Sequence, residues 1–366
     1  MKFKVNTKKF VEKLNLIQGI AEKRATMPIL SHVLVTAKEN NLSLVATDLE
    51  TTISLLTEAD VEKESSLAIP SRKLFEIIKE LPEGEVEFEE IGNNWVEIKT
   101  TFASFKIACL PSDDFPSLPD VSSDNLFSID SKILEDMISK TIFSVSPDEL
   151  RRNLSGIYFE NTGDKSLRLV ATDGHRLSYV DYESPSSIGL TRNVLVPKKA
   201  VSELRKLLRY SDQLLIGCEA NFFVSKVDDI TLCSRLIDAD FPDYKQVTPD
   251  STKNRFKVNT NHLLSALKRV SVFSSEKTRS IKIEVSNNSL NLVSISPDVG
   301  EAKESIVIEY SGDDVEIGFN SRYLMDVLEA VNEAVVVIGI TDELSPVMII
   351  PESGNNYVNV IMPMRV

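Results

Sequence analysis

The run Thr172-Asp173-Gly174-His175-Arg176-Leu177 holds the residue types best suited to chemistry, since an aspartate near a histidine can orient an imidazole as a general base. Such a base needs a group to activate. The sequence has no G-x-S-x-G nucleophile, no P-loop, no H-E-x-x-H and no paired-carboxylate metal box. Three histidines, His32, His175 and His262, are too few for a histidine-rich metal centre, so neither a metal nor any other cofactor is expected. Cys109, Cys218 and Cys233 are odd in number, far apart and never C-x-x-C, which argues against a disulfide framework or zinc ribbon and for reduced, mostly buried thiols. Catalysis at this segment is therefore not expected.

The elements that must position it are repeated. Phe3-Lys4-Val5-Asn6-Thr7 returns as Phe256-Lys257-Val258-Asn259-Thr260, with a looser copy at Phe127-Ser128-Ile129-Asp130-Ser131. Leu42 to Asp48 returns as Leu167 to Asp173 and more weakly as Leu290 to Ser296. The strand-to-helix junctions at Pro70, Pro197 and Asn320 keep the same spacing, as do Asp114-Phe115-Pro116 and Asp240-Phe241-Pro242. Four markers thus give one period near 125 residues. With 366 residues and roughly 100–200 per domain, three α+β domains in series follow, at 1–119, 126–246 and 254–366.

Each repeat is doubled internally. A short alternating strand and an amphipathic helix open it near residues 3, 127 and 256, and the pattern returns near 67, 194 and 317. Leu204, Leu207 and Leu208, or Leu324, Val327, Leu328 and Val331, sit at helical spacing and give one buried stripe. Runs such as Trp95 to Lys99 alternate with period two and read as antiparallel strands with one wet face. Pro111–Asp124 and Pro242–Lys253 read as linkers.

A net charge of −14 argues against nucleic acid as a partner unless the positive charge is segregated. It is. Residues 7–24, 71–82, 131–145, 197–209, 260–279 and 320–333, which contain the expected helices, together carry +9, leaving −23 on everything else. Basic helix faces can hold phosphates without reading bases, while an acidic exterior repels nucleic acid elsewhere. No stretch reaches the 18 apolar residues of a membrane span, and Met1-Lys2-Phe3-Lys4-Val5 carries no export signal, so a cytoplasmic location is expected.

Over essentially its full length the sequence resembles the bacterial DNA polymerase III beta subunit family, the beta sliding clamps. The resemblance rests on Thr26-Met27-Pro28-Ile29-Leu30, Ala171 to Leu177, Asp240-Phe241-Pro242-Asp243-Tyr244, Tyr310-Ser311-Gly312 and Met362-Pro363-Met364-Arg365, in order and at matching distances. It implies a non-catalytic processivity factor: a head-to-tail homodimer whose six domains close a ring around duplex DNA without sequence preference. It also implies a pocket for short linear peptides of polymerases, clamp loader and other clamp-binding proteins, lined here by Leu154, Thr172, Gly174, His175, Arg176, Leu177, Pro242, Val247, Val360, Met362, Pro363, Met364 and Arg365. Leu, Val, Pro and Met would supply an adaptable apolar floor, and Arg would hold peptide carbonyls or acidic groups. Val366 stands where the family usually has Leu.

For DNA the resemblance points to Arg24, Arg72, Arg151, Arg152 and Lys198, and charge adds Lys199, Arg205 and Lys206. For the dimer seam it points to Phe105 and Ile107 against Val272 and Phe273. Two other readings stay open on the residues alone: a nucleotide-processing enzyme using Asp173 and His175, and a repeat scaffold that binds proteins but not DNA.

Overall fold

One capping device explains why the strand-to-helix junction recurs. A helix starts with backbone amides that lack acceptors, and a short polar side chain just before it supplies one. Six helices lie among the described residues: α1 (Thr7–Ile17), α2 (Ser71–Glu80), α3 (Ser131–Ser139), α4 (Lys198–Leu207), α5 (Thr260–Val270) and α6 (Ser321–Ala330). Asn6 accepts the amides of Lys8 and Lys9 at 3.1 and 3.2 Å, and Asp130 those of Lys132 and Ile133 at 2.8 and 3.2 Å. Asn259 and Asn320 cap α5 and α6 in the same way. The repeated Asn-Thr and Asp-Ser pairs are therefore cap and first helical residue.

The structure, a computed structural model, describes residues 1–21, 27–117, 126–249, 252–275, 278–296, 300–354 and 356–365. Arg24, Thr26 and Val366 lie outside them. The chain divides into two compact units, one of Met1–Leu134, Gly189–Thr191 and Lys199–Leu236, the other of Glu135–Ile188, Arg192–Lys198 and Ile237–Val366. Each takes part of the middle repeat.

In the first unit, a nine-stranded antiparallel sheet carries the first repeat into the middle one. Thr51–Glu58 pairs with Ile230–Arg235, in a register that sets Leu55 against Ile230 and Thr52 against Cys233. A five-stranded sheet ends on Ser104–Ala108. Phe3 stacks on Phe88 with centroids 4.6 Å apart, and Phe10 of α1 meets the same ring edge-on. Leu14 of α1 and Leu74 and Ile78 of α2 are fully buried, each burial contributing about 1.5–3 kcal/mol.

The second unit repeats the plan. Its eight-stranded sheet joins Arg176–Glu183 of the middle repeat to Tyr357–Ile361 of the last, Leu177 opposite Val360. Its four-stranded sheet ends on Gly300–Val307, while α5 and α6 bury Leu263, Leu267, Leu324 and Leu328.

Three details depart from the sequence reading. The first helix stops at Ile17, so only part of 7–24 is helical. Within the expected linker Pro242–Lys253, Tyr244–Val247 forms a 3₁₀ turn with the Tyr244 side chain buried. The last strand is interior to its sheet, and the residues after it are tied down as well: the Met362 amide donates to the His175 carbonyl and that of Met364 to Gly318, each at 2.8 Å.

Candidate functional site

The hairpin turn between Ser166–Thr172 and Arg176–Glu183 is what Asp173 builds. Its carboxylate accepts the amides of His175 and Arg176 at 2.9 and 3.0 Å and Nε of Arg176 at 3.1 Å, while the Thr172 hydroxyl donates to the Arg176 carbonyl at 2.6 Å. Gly174 sits at φ +87°, where a side chain is strained. Asp173 thus organises a turn and a guanidinium. The His175 ring instead stacks beside Tyr323, centroids 6.3 Å apart, so no base-orienting pair exists here. Among the described residues no group of three or more His, Cys, Asp or Glu side chains is placed to hold a metal ion.

Beside this turn opens an apolar cavity of about 260 Å³. Small-molecule sites usually occupy ~300–1,000 Å³, so this one suits a few side chains better than a whole cofactor. Leu177 and Val360, paired across the join of two repeats, form its base. Leu154, at the end of the short turn Arg152–Leu154, closes one side, and Pro242 and Val247 of the 3₁₀ segment close another. Thr172, Gly174, Arg176 and Met362 are the other expected residues that line it. His175, Pro363, Met364 and Arg365 do not line the cavity; beyond Met362 the chain turns to Gly318.

Four lining residues were not foreseen for the pocket: Arg151, Asn153, Asp243 and Tyr244. Arg151, expected at the DNA surface, lies across the hairpin turn. Its Nη1 donates to the Asp173 carbonyl at 2.7 Å, and a Cβ on residue 174 would come within 2.7 Å of its Nη2. Neighbouring leucine and asparagine cues were available; the turn that carries them was not.

Arg176 also plays another part than gripping peptide. Its side chain is 9% exposed, and besides Asp173 it donates to Asp326 of α6 at 2.6 Å and to the Phe143 carbonyl at 2.5 Å. The guanidinium lies 4.5 Å from the centroid of Tyr323. Donors so engaged make it a strut between hairpin and helix.

The basic residues sit at the surface. Arg72 in the first turn of α2 pairs with Glu76 at 2.9 Å, Lys206 with Glu203 at 2.6 Å, and Lys199 with Asp48. The Arg72 pair, exposed on both sides, contributes about 0–1 kcal/mol and can give way to a phosphate, whereas Glu203 and Asp48 are largely buried, at 9% and 4% exposure. Burial and the neighbouring Arg176 charge lower the Lys198 pKa. Arg152 is exposed and Arg205 half-buried.

At the expected seam, Ile107 is only 6% exposed in the single chain, whereas Phe105 is half-buried. The side chain of Ile107 is largely buried within its own chain. Val272 is 74% exposed and Phe273 half-buried, both in the 3₁₀ turn that ends α5.

The sequence matches the DNA polymerase III beta subunit N-terminal domain over 1–119, its central domain over 128–243 and its C-terminal domain over 245–365. The beta sliding clamps of Salmonella typhimurium and Escherichia coli are each 33% identical to it over 367 residues, spanning all of both chains. Two solved sliding clamps also span it fully. That of Bartonella birtlesii, bound to griselimycin, has a TM-score of 0.95 at 33% identity, and that of Caulobacter crescentus 0.95 at 30%.

Proposed function

This chain belongs to the DNA polymerase III beta subunit family, the bacterial beta sliding clamps, and on that footing we propose which of its surfaces take a partner peptide, the duplex and a second copy. It is a non-catalytic processivity clamp of DNA polymerase III. The domains we assign are 1–119, 126–246 and 254–366, and its workplace is the cytoplasm.

The pocket takes the peptide. One observation carries this reading: an open apolar cavity stands on the Leu177–Val360 pair, with its polar rim already satisfied by the Asp173 turn. A partner's apolar side chains can be buried there without stranding a polar group. Met362, with a flexible thioether, lets different sequences fit. Pro363, Met364 and Arg365 extend the same surface beyond the cavity.

The duplex takes the cations Arg72, Lys198, Lys199, Arg205 and Lys206, with Arg24 and Arg152. All carry charge to phosphates and none is placed to specify a base.

The second copy completes a pairing rule. Thr51–Glu58 and Arg176–Glu183 occupy the same place in successive repeats, and each pairs with the last strand of the following repeat. Their counterpart Gly300–Val307, and the first repeat's strand Ser104–Ala108 that corresponds to Tyr357–Ile361, are both left at sheet edges. Unpaired edges are templates for another chain. Pairing them between copies, with Val272 and Phe273 beside Phe105, joins chains head to tail, and two such joins close the dimer.

The test is deletion of Met362–Val366, read by fluorescence anisotropy with a labelled peptide carrying the polymerase's clamp-binding segment. Peptide binding is lost while the dimer mass persists. Full affinity in the folded, truncated dimer places the peptide site elsewhere.

A further inference from the structure

The pocket wall made by Pro242 and Val247 belongs to the connection between the middle and last repeats, a stretch that composition marks as a linker. Something must hold it in place. Two anchors do so. Phe241 stacks on Tyr158, centroids 4.7 Å apart and planes 3° apart. Three residues on, Tyr244 is 5% exposed, packed in the cluster that contains Leu177 and Val360, with Tyr179 beside it.

The Tyr244 hydroxyl ends in a polar cluster beneath the wall. It donates to the Glu160 carboxylate and accepts from Arg168 Nη1 at 3.1 Å. Arg168 is fixed by a bidentate pair with Asp181 at 2.6 and 2.7 Å and lies over the Tyr179 ring at 4.2 Å. Lys245 reaches the other Glu160 oxygen at 3.1 Å. Tyr244 itself lines the pocket, but none of Glu160, Arg168 or Asp181 does. Charge-assisted bonds of this kind are short and directional, so they fix Tyr244, and with it Pro242 between the anchors and Val247 at the far end of the 3₁₀ turn that Tyr244 opens.

We propose that Tyr244 is a positioning residue for peptide recognition: its hydroxyl, held between Glu160 and Arg168, seats the Pro242–Val247 segment so that Pro242 and Val247 stand as one wall of the pocket. The claim rests on the pocket being the peptide site. It adds that affinity is set partly by a polar cluster the peptide never touches.

Tyr244→Phe keeps the ring and its packing and removes only the hydroxyl. Peptide affinity falls about tenfold, equivalent to ~1.4 kcal/mol. The measurement is anisotropy with the same labelled polymerase peptide, well below the melting transition, with dimer mass and melting temperature recorded alongside. Three further variants separate positioning from general stability. Glu160→Gln, which keeps an acceptor for the hydroxyl, retains affinity to within about threefold, less than ~0.7 kcal/mol. Val247→Ala on the same wall is non-additive with Tyr244→Phe, whereas Met362→Ala on another wall is additive with it, because coupling appears only between residues acting through a shared element.

Parental affinity in Tyr244→Phe overturns the proposal, and so does strict additivity with Val247→Ala. Should Met362→Ala and Val247→Ala each bind like the parent, the pocket itself is misassigned. That result is distinguishable from a failure of Tyr244 alone.

Discussion

Replacing Arg176 by Met tests whether the strut between hairpin and helix is a buried charge cluster. Met preserves much of the side-chain length and apolar contact while removing the guanidinium. Asp173 and Asp326 are 7% and 10% exposed, so removing their cation leaves two largely buried carboxylates. Asp173 keeps two backbone amides, and Asp326 keeps Arg322 at 2.7 Å, which limits the damage. Breaking a buried pair costs about 3–5 kcal/mol, and the remaining partners favour the lower end. A unit of this size shifts by about 2–4 °C per kcal/mol, so its transition should fall by roughly 6–12 °C. The cost must also follow burial along a series of arginines. Arg168 and Asp181 are 20% and 30% exposed, so Arg168→Met should cost less after allowance for solvent screening. Arg72 is 70% exposed beside Glu76, and Arg72→Met should change stability by less than about 1 kcal/mol. Calorimetry of the three variants decides it. If Arg176→Met melts with the parent, or if Arg72→Met costs as much, the guanidinium is not holding the two elements together.

Lys198→Glu combined with Arg205→Glu should flatten the salt dependence of DNA contact by roughly two units of slope, without creating sequence preference, and equal slopes would take both residues off the duplex surface. Phe273→Arg should give folded monomers in sedimentation, because burying an unpaired charge at the seam costs several kcal/mol. Ile107→Arg, by contrast, should destabilise the first unit itself, since Ile107 is already buried in its own chain; a well-folded Ile107→Arg monomer would return that residue to the seam.

Repetition made the architecture legible. The Asn-Thr junctions, the alternating strands and the period near 125 residues all report local physics, namely caps, pleats and helix faces, that a sequence writes within a few residues. The pocket is harder to see because its base pairs Leu177 with Val360, and nothing local in either strand names the other. Tyr244 was hidden by its Pro- and Asp-rich setting, which looks like a linker until Glu160 and Arg168 supply partners. For Arg151 and Arg176 the sequence shows the charge but not the acceptors, since charge counts cannot show where a guanidinium finds its partners.

The repeat also shows why the middle hairpin carries a site while its copy in the first repeat is built differently. Asp48 holds its turn as Asp173 does, accepting the amides of Glu50 and Thr51 at 2.9 and 2.6 Å. The residue after it is left-handed in both, with φ +76° at Leu49 and +87° at Gly174. Leucine is strained there and its side chain projects 48% exposed, whereas glycine takes the same backbone without strain. Only the glycine lets a guanidinium lie flat across the turn, as Arg151 does at a distance no Cβ would permit. The corresponding position before the first hairpin, 124 residues earlier, is Met27, which brings no charge to such a contact. Gly for Leu in the turn and Arg for Met beside it are the two differences that let Arg151 lie across the middle hairpin and join the lining of the pocket.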